Sequence, residues 1–350
     1  MKILVTAAKT GGHIFPAIAV GVDLIKKGHE VVFLGSGAEI ERSAIKDTGL
    51  SYSSIQMKGF RGKGILAKII ALLLIPKSIY STALLINKEK IDGMIGFGGF
   101  ITVPSGIACF LMRKPLFTHE QNSIYGSANR LLSKIAKINF LGFPLNLQPR
   151  NAIISGNPIR DTFISGSGTQ EAIEGRPINI YVTGGSQGSE YINKNIPIAF
   201  KNSLHEINIK HQCGKNKLDL VNKLYRETKI NFEVKEFYKN PESLINWSDF
   251  IISRSGALSI SEITSMSKGV LMIPLPSSID NHQFYNAKHI ESINMGIIHL
   301  EESGETALRE KINSIISQGL FKKWKENNNM DHIKAAQTIS TKVIESLGIR

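Results

Sequence analysis

Cysteine is nearly absent. Cys109 and Cys213 are the only two in 350 residues, far apart and outside any C-x-x-C. That excludes a disulfide scaffold and a zinc ribbon, and it suits a reducing cytosol. Acidic residues are also few, 29 Asp and Glu against 42 Lys and Arg, for a net charge of +13. Such an excess implies an anionic partner: nucleic acid, acidic lipid or a phosphorylated substrate. Long apolar runs are missing too. The greasiest stretch, residues 65–75, is interrupted by Lys68 and is predicted to stop at Pro76. A bilayer span needs ~20 apolar residues, so no transmembrane helix is expected. Residues 1–5 read as a first β-strand rather than a secretory leader, because their apolar run breaks at Thr6. These features together predict a cytoplasmic protein.

Several catalytic signatures are missing as well. There is no G-x-x-x-x-G-K-[ST] phosphate loop and no G-x-S-x-G nucleophile elbow. Gly35-Ser36-Gly37-Ala38-Glu39-Ile40 begins like a dinucleotide fingerprint but lacks its third glycine. No two aspartates stand two apart, and none of the nine histidines pairs with another at i, i+4. A D-x-D clamp and a zincin motif are therefore excluded, and neither a metal nor a cofactor is expected. A nucleotide diphosphate, if bound, must be neutralised by backbone amides, helix dipoles and Arg or Lys.

What the chain does have is repetition. Hydrophobic residues make up 42% and charged residues 20%, with 31 Gly and 12 Pro, which describes a globular chain rich in tight turns. At ~150 residues per domain, 350 residues imply about two domains. Ile3-Leu4-Val5 leads through Thr10-Gly11-Gly12-His13 into a helix predicted to carry Ile14, Phe15, Ile18, Val22 and Ile25 on one side. Gly28 ends that helix, and Val31-Val32-Phe33-Leu34 reads as the next strand. Met94-Ile95 precedes Gly96-Phe97-Gly98-Gly99, and Leu116-Phe117 precedes a turn at Thr118-His119-Glu120-Gln121-Asn122. After a linker-like Ser165-Gly166-Ser167-Gly168-Thr169 the scheme restarts. Residues 178–182 run into Thr183-Gly184-Gly185-Ser186-Gln187-Gly188, and Ile251-Ile252 runs into Ser253-Arg254-Ser255-Gly256-Ala257. The predicted fold is α/β, two Rossmann-like halves with doubly wound parallel sheets, binding ligand beyond the carboxyl ends of their strands. Two such halves facing each other would enclose the site in a cleft.

Glycine turns at strand-to-helix junctions let backbone N–H groups approach a phosphate, and Ser186 fits a phosphate hydrogen bond better than attack on a carbonyl. His13 sits in the first glycine loop just before a helix. With an unperturbed pKa of ~6.5, it suits a general base if that loop faces a sugar hydroxyl.

Seven motifs in order carry a resemblance that runs over nearly the full chain. They are Thr10-Gly11-Gly12-His13 with Phe15-Pro16, Gly96-Phe97-Gly98-Gly99-Phe100, His119-Glu120-Gln121-Asn122, Gly156-Asn157-Pro158-Ile159-Arg160, Gly184-Gly185-Ser186-Gln187-Gly188, Arg254-Ser255-Gly256-Ala257-Leu258 with Ser261-Glu262, and Asp280-Asn281-His282-Gln283. Together they resemble the MurG family, the bacterial peptidoglycan N-acetylglucosaminyltransferases. The resemblance implies a GT-B fold and transfer of N-acetylglucosamine from its UDP donor to the 4-hydroxyl of N-acetylmuramoyl-pentapeptide diphospho-undecaprenol (lipid I). Inversion at the anomeric carbon would give the β(1→4) bond of lipid II.

By the same resemblance, residues 1–160, joined by a C-terminal helix over 331–350, form the acceptor and membrane-facing domain, and residues 161–330 bind UDP-N-acetylglucosamine. Donor contacts fall on Thr10, Gly11, Gly12, Asn122, Arg160, Ser186 and Gln283, with Tyr238 meeting uracil through its main chain. Ala257 and Leu258 face the diphosphate and Glu262 the ribose. His13, His119, Glu120 and Asn193 fall at positions tied to acceptor binding or catalysis, with His13 and Glu120 competing for the role of base. The implied location is peripheral, on the cytoplasmic face of the inner membrane. The apolar residues 65–75 beside Arg61, Lys63 and Lys68 would meet anionic lipid, with other cell-wall enzymes as further partners.

Two departures stand out. Ala8-Lys9 occupies positions where the family carries glycines, and neither residue enters φ > 0 as freely. Phe100 replaces an expected tyrosine. The competing readings are another GT-B enzyme, such as a UDP-N-acetylglucosamine 2-epimerase, and a non-catalytic nucleic-acid-binding protein. Dispersed lysines and unexplained glycine loops count against the second, so no nucleic-acid partner is expected.

Overall fold

The computed structural model describes residues 1–8, 10–55, 65–165, 175–327 and 332–348. The chain divides into two compact units, Met1–Arg160 with Asp331–Arg350, and Asp161–Met330. Each is built on one parallel sheet, as the repeated strand, glycine turn and helix predict.

The first unit has seven strands: β1 (Lys2–Thr6), β2 (Glu30–Gly35), β3 (Ser51–Ser54), β4 (Gly93–Gly96), β5 (Leu116–Glu120), β6 (Ile138–Leu141) and β7 (Ala152–Ile154). Their order is β3-β2-β1-β4-β5-β6-β7, and every pairing is parallel. A parallel sheet is covered on both faces, so its inner strands are apolar throughout. Side chains alternate along β1. Ile3 and Val5 pack with Ile14, Ala17, Val20 and Leu24, while Leu4 packs on the other face with Met94, Ala108, Cys109 and Leu132.

The second unit has six strands: β8 (Ile178–Thr183), β9 (Ile207–Gln212), β10 (Asn231–Lys235), β11 (Phe250–Ser253), β12 (Gly269–Met272) and β13 (Gly296–Ile298). They run β10-β9-β8-β11-β12-β13, again all parallel. Ile180, Val182, Ile209, Phe250, Ile252 and Leu271 from the sheet pack with Ile192, Ile196, Tyr225, Ile312 and Trp324.

In each sheet the chain winds outward from a central strand and then returns to that strand's other side. The switch falls between β1 and β4 in the first unit and between β8 and β11 in the second. In open sheets of this kind ligands bind at such points, beyond the carboxyl ends of the strands. The glycine motifs lie at both points.

The helix Ala335–Gly348 belongs to the first unit. Ile339, Val343 and Leu347 bury themselves against the β1 face, each contributing roughly 1.5–3 kcal/mol of apolar burial. Lys27 fastens it by donating to Ser340 Oγ at 2.6 Å and Thr341 Oγ1 at 2.7 Å.

Three local expectations need correction. The buried residues of the Gly11–Lys26 helix are Ile14, Pro16, Ala17, Val20, Gly21 and Leu24, while Phe15, Ile18, Val22 and Ile25 are only partly covered. Small residues let this helix lie close to the sheet, where a methyl on Gly21 would stand 2.8 Å from Leu50 Cδ2. Pro76 does not stop its helix, which runs Ile65–Lys88 with Pro76 exposed inside it. Thr118, His119 and Glu120 belong to β5 rather than to a turn. Lys9, the 166–169 linker, Arg61, Lys63 and the Lys68 side chain lie outside the described residues. Among the described residues no helix is long and apolar enough to cross a membrane.

Candidate active site

In the first unit the chain leaves β1 through buried Ala7 and Ala8 and enters the Gly11–Lys26 helix at Thr10, which is extended at φ −132°. No side chain caps this helix. Thr10 Oγ1 stands 3.0 Å from Nδ1 of His13 instead. The first-turn N–H groups of Gly11 and Gly12 are thus left to an anion.

The loop after β4 closes over this turn. Gly98 (φ +100°) lies against the His13 ring, where a methyl would come within 2.8 Å of Cδ2. Gly99 (φ +85°) crosses Ala8, where a methyl would be 2.7 Å from the Ala8 carbonyl oxygen. Only glycine fits either position. Ala8 is not among the residues with positive φ, so alanine there carries no backbone strain. Phe100 packs against the apolar cluster beneath the sheet. The guanidinium of Arg160 sits 5.2 Å from the Phe15 ring centroid. That ring folds against Gly11, where a methyl would be 2.9 Å from Phe15 Cε2. Arg160 therefore adds positive charge beside the helix N-terminus.

His119 is fully buried. Its Nε2 donates to the Gly156 carbonyl at 3.1 Å, and its Nδ1 accepts from Gln121 Nε2 at 3.0 Å. Burial pushes its pKa down to about 4 against a partly opposing bond to Gly156, so the ring is neutral. Such a ring cannot touch substrate. It braces Gln121, which also donates to the Phe97 carbonyl at 2.9 Å. Asn157 completes the brace by donating to the Gln121 carbonyl, and its own N–H donates to Nδ1 of His332 at 2.8 Å.

The buried Glu120 carboxylate accepts four hydrogen bonds. They come from Asn122 N–H (3.1 Å), Asn122 Nδ2 (3.0 Å), Gly126 N–H (3.0 Å) and Asn129 Nδ2 (2.9 Å). A carboxylate has about four lone-pair sites, and here donors of the 122–129 segment meet them.

In the second unit two helices begin at the β8/β11 switch, and they differ. Glu190–Ala199 is capped by Ser189 Oγ, which accepts from Ile192 N–H at 3.3 Å, and it carries Glu190 in its first turn. Ala257–Ser265 has no side-chain cap and no acid in its first turn. Its N-terminus is the one suited to a diphosphate. Leu258 and Glu262 share a face at i, i+4, and Glu262 is buried.

The 254–256 loop is held from two sides. Arg254 donates to the Ile273 and Pro274 carbonyls and pairs with Glu301 at 2.6 Å. Ser255 Oγ donates to the Gln283 carbonyl at 2.8 Å. Gln283 Oε1 accepts from Leu275 N–H at 3.0 Å, which fixes the side chain beside that loop. Asp280 and Asn281, just before it, both adopt positive φ (52° and 54°), an uncommon pair for non-glycine residues.

Ser186 is exposed at the tip of the glycine turn after β8. Asn193 faces inward. Its Nδ2 donates to the Cys213 carbonyl at 2.8 Å, and its Oδ1 accepts from Nε2 of His211 at 3.0 Å. Burial pushes the pKa of His211 down to about 3. Tyr238 N–H donates to Gln212 Oε1 at 3.0 Å, and its half-buried hydroxyl, raised chiefly by desolvation, donates to Glu233.

Thr10, Gly11, Gly12, His13 and Arg160 thus surround one helix start, and Ala257, Leu258, Glu262 and Gln283 surround another. Asn122 is tied to Glu120, while His119 and Asn193 are buried braces. The bracing residues Gln121, Asn129 and Asn157 were not singled out from sequence. Gln121 and Asn157 lie inside two of the seven motifs, but nothing in the string marks their side chains as buried.

Two parallel Rossmann-like sheets, each with an open helix N-terminus at its switch point, define an α/β protein of the GT-B type. Residues 3–140 match the glycosyltransferase family 28 N-terminal domain, and residues 179–343 match the glycosyltransferase family 28 C-terminal domain. A Coxiella burnetii protein named UDP-N-acetylglucosamine–N-acetylmuramyl-(pentapeptide) pyrophosphoryl-undecaprenol N-acetylglucosamine transferase is 36% identical over 86% of each chain. The crystal structure of Acinetobacter baumannii MurG superposes with a TM-score of 0.84 at 27% identity, covering 98% of this chain and 99% of that one. The chain belongs to the MurG family and is a hexosyltransferase. A UDP-GlcNAc 2-epimerase from Neisseria meningitidis, with a TM-score of 0.69 at 15% identity over 99% of this chain and 100% of that one, shares the fold alone.

Proposed function

We propose that this enzyme moves N-acetylglucosamine from UDP-N-acetylglucosamine to the 4-hydroxyl of lipid I, with inversion, to form lipid II. The first unit binds and activates the acceptor and the second holds the donor. The observation that carries this reading is the contrast at β8/β11. One helix N-terminus is capped and acidic, whereas the Ala257–Ser265 N-terminus is open to a diphosphate.

His13 acts as the base. Its Nε2 takes the proton of the acceptor hydroxyl as that oxygen attacks the anomeric carbon, and the bond from that carbon to the diphosphate oxygen breaks. The open start of the Ala257–Ser265 helix stabilises the UDP anion that leaves. Glu120, met by four donors, holds the 122–129 segment for the acceptor instead of competing for its proton. Glu262 and Gln283 meet ribose and sugar hydroxyls. The enzyme works from the cytoplasmic face of the inner membrane as a peripheral protein drawn by anionic lipid.

UDP release measured with and without a lipid I analogue tests this. Release should require the acceptor and yield a β(1→4)-linked product. Conversion of the donor to an epimer without acceptor would replace this reading with the epimerase one.

A further inference from the structure

Gln212 is the last residue of β9, the strand lying between β10 and β8, and it is buried. Its amide spans the carboxyl ends of all three strands. Nε2 donates to the Gly185 carbonyl at 2.9 Å and to Thr183 Oγ1 at 3.4 Å, in the turn after β8. Oε1 accepts from Tyr238 N–H at 3.0 Å, in the turn after β10. Thr183 Oγ1 in turn accepts the N–H of Gly185 at 3.0 Å.

These bonds constrain two peptide groups. A trans peptide carries its C=O and N–H on opposite sides, and no cis bond occurs here. With the Gly185 carbonyl drawn to Gln212, the N–H of Ser186 in the same peptide must point away from it, at the exposed tip of the turn. With Tyr238 N–H drawn to Gln212, the Phe237 carbonyl must likewise point away. The Gly185 carbonyl also accepts Gly188 N–H at 3.1 Å across the turn, and Gln212 adds the side-chain bond that holds the peptide from the β9 side. Gly185 has φ +83°, and a methyl there would meet no atom within 4 Å. The far end of the turn is already fixed elsewhere, where Gly188 and Gly214 meet backbone to backbone and Asn193 holds Cys213. Gln212 shares with Gly188 N–H the hold on the Gly185 end of the turn.

We propose that Gln212 is a positioning residue for the donor: it presets the Gly185–Ser186 peptide so that Ser186 N–H is aimed at the donor's phosphates. This rests on the reading that the second unit binds the UDP-sugar. Substitution by the unbranched, apolar Gln212→Met keeps the bulk and removes the hydrogen bonds.

Calorimetric titration of the full-length enzyme with UDP and with uridine, beside steady-state kinetics, tests the assignment. Gln212→Met should weaken UDP binding and raise the donor KM by about tenfold, the equivalent of one or two lost hydrogen bonds. Uridine binding should fall by clearly less than UDP binding, since its loss is confined to the Tyr238 main chain that Gln212 also holds, and kcat should stay within about threefold. Equal losses for UDP and uridine, or UDP binding within about twofold of wild type, would overturn the proposal. If Gln212→Met does not fold, Thr183→Val removes the hydroxyl that accepts from Gln212 and holds the neighbouring Gly184–Gly185 peptide through Gly185 N–H, and it should show the same UDP-selective loss. A wild type that binds UDP but transfers no sugar defeats the functional reading and leaves the UDP-to-uridine comparison decisive for Gln212. A wild type that binds no UDP overturns both.

Discussion

Thr10 Oγ1 and His13 Nδ1 lie 3.0 Å apart, so the hydroxyl at the N-cap position holds an imidazole rather than a backbone N–H. On the proposed reading, the tautomer with its proton on Nδ1 presents Nε2 as the atom that takes the acceptor's proton. The helix N-terminus also disfavours the imidazolium. His13→Ala should lower kcat by ~10²–10⁴ with little change in donor KM, and the acidic limb of the pH–rate profile should vanish. Thr10→Val, which removes that bond and keeps the ring, should cost about tenfold in kcat. Near-normal turnover by His13→Ala would assign the base elsewhere.

Glu120 gives a contrasting expectation. Glu120→Gln places an NH2 group among four donors and leaves part of them unmatched. Hydrogen bonds to a charged partner contribute roughly 1.5–3 kcal/mol each, so the variant should lose several kcal/mol of stability along with activity. His13→Ala should keep a near-native Tm, and comparison of the two melting curves separates a brace from a base. If Glu120→Gln melted like the wild type but did not turn over, Glu120 would be the proton acceptor.

Strand ends and glycine turns were legible because strands covered on both faces read as unbroken apolar runs, and the 96–99 glycines fall where two backbones cross. His119 and Glu120 were read as a turn because buried polar residues at a strand's end look like loop residues in one dimension. Their burial depends on partners such as Gly156, 37 residues away from His119. Gln212 was invisible for the same reason, with partners 26, 27 and 29 residues distant. Pro76 misled because an exposed proline can sit inside a helix when solvent receives the freed carbonyl.

The buried histidines predict acid sensitivity. Unfolded, each takes a proton near pH ~6.5. Folded, His119 does so only near about 4 and His211 near about 3, both through desolvation. Below ~6.5 the unfolded chain therefore binds protons that the folded chain refuses. Stability is complete above that pH and falls as pH drops toward the folded values. Moving from pH 7 to pH 5 should remove about 2 kcal/mol per histidine, seen as a lower urea midpoint. His211→Gln should flatten the slope for the second unit, and an unchanged slope would mean that His211 is not the group responsible.

Donor binding should depend on contacts in the second unit and on no metal. Among the described residues no group of three or more His, Cys, Asp or Glu is placed to hold a metal ion. The Ala257–Ser265 helix instead offers an uncapped N-terminus with no acid in its first turn, and Gln283 is fixed beside it through Leu275. On the proposed reading, backbone N–H groups and the helix dipole meet the diphosphate charge and Gln283 reads a sugar hydroxyl. Gln283→Ala should raise the donor KM about fivefold to tenfold, as one neutral hydrogen bond contributes ~1 kcal/mol, and should leave the acceptor KM unchanged. Turnover should persist in EDTA. Loss of turnover in EDTA, restored by Mg²⁺ or Mn²⁺, would mean that the helix N-terminus does not suffice to stabilise the leaving group.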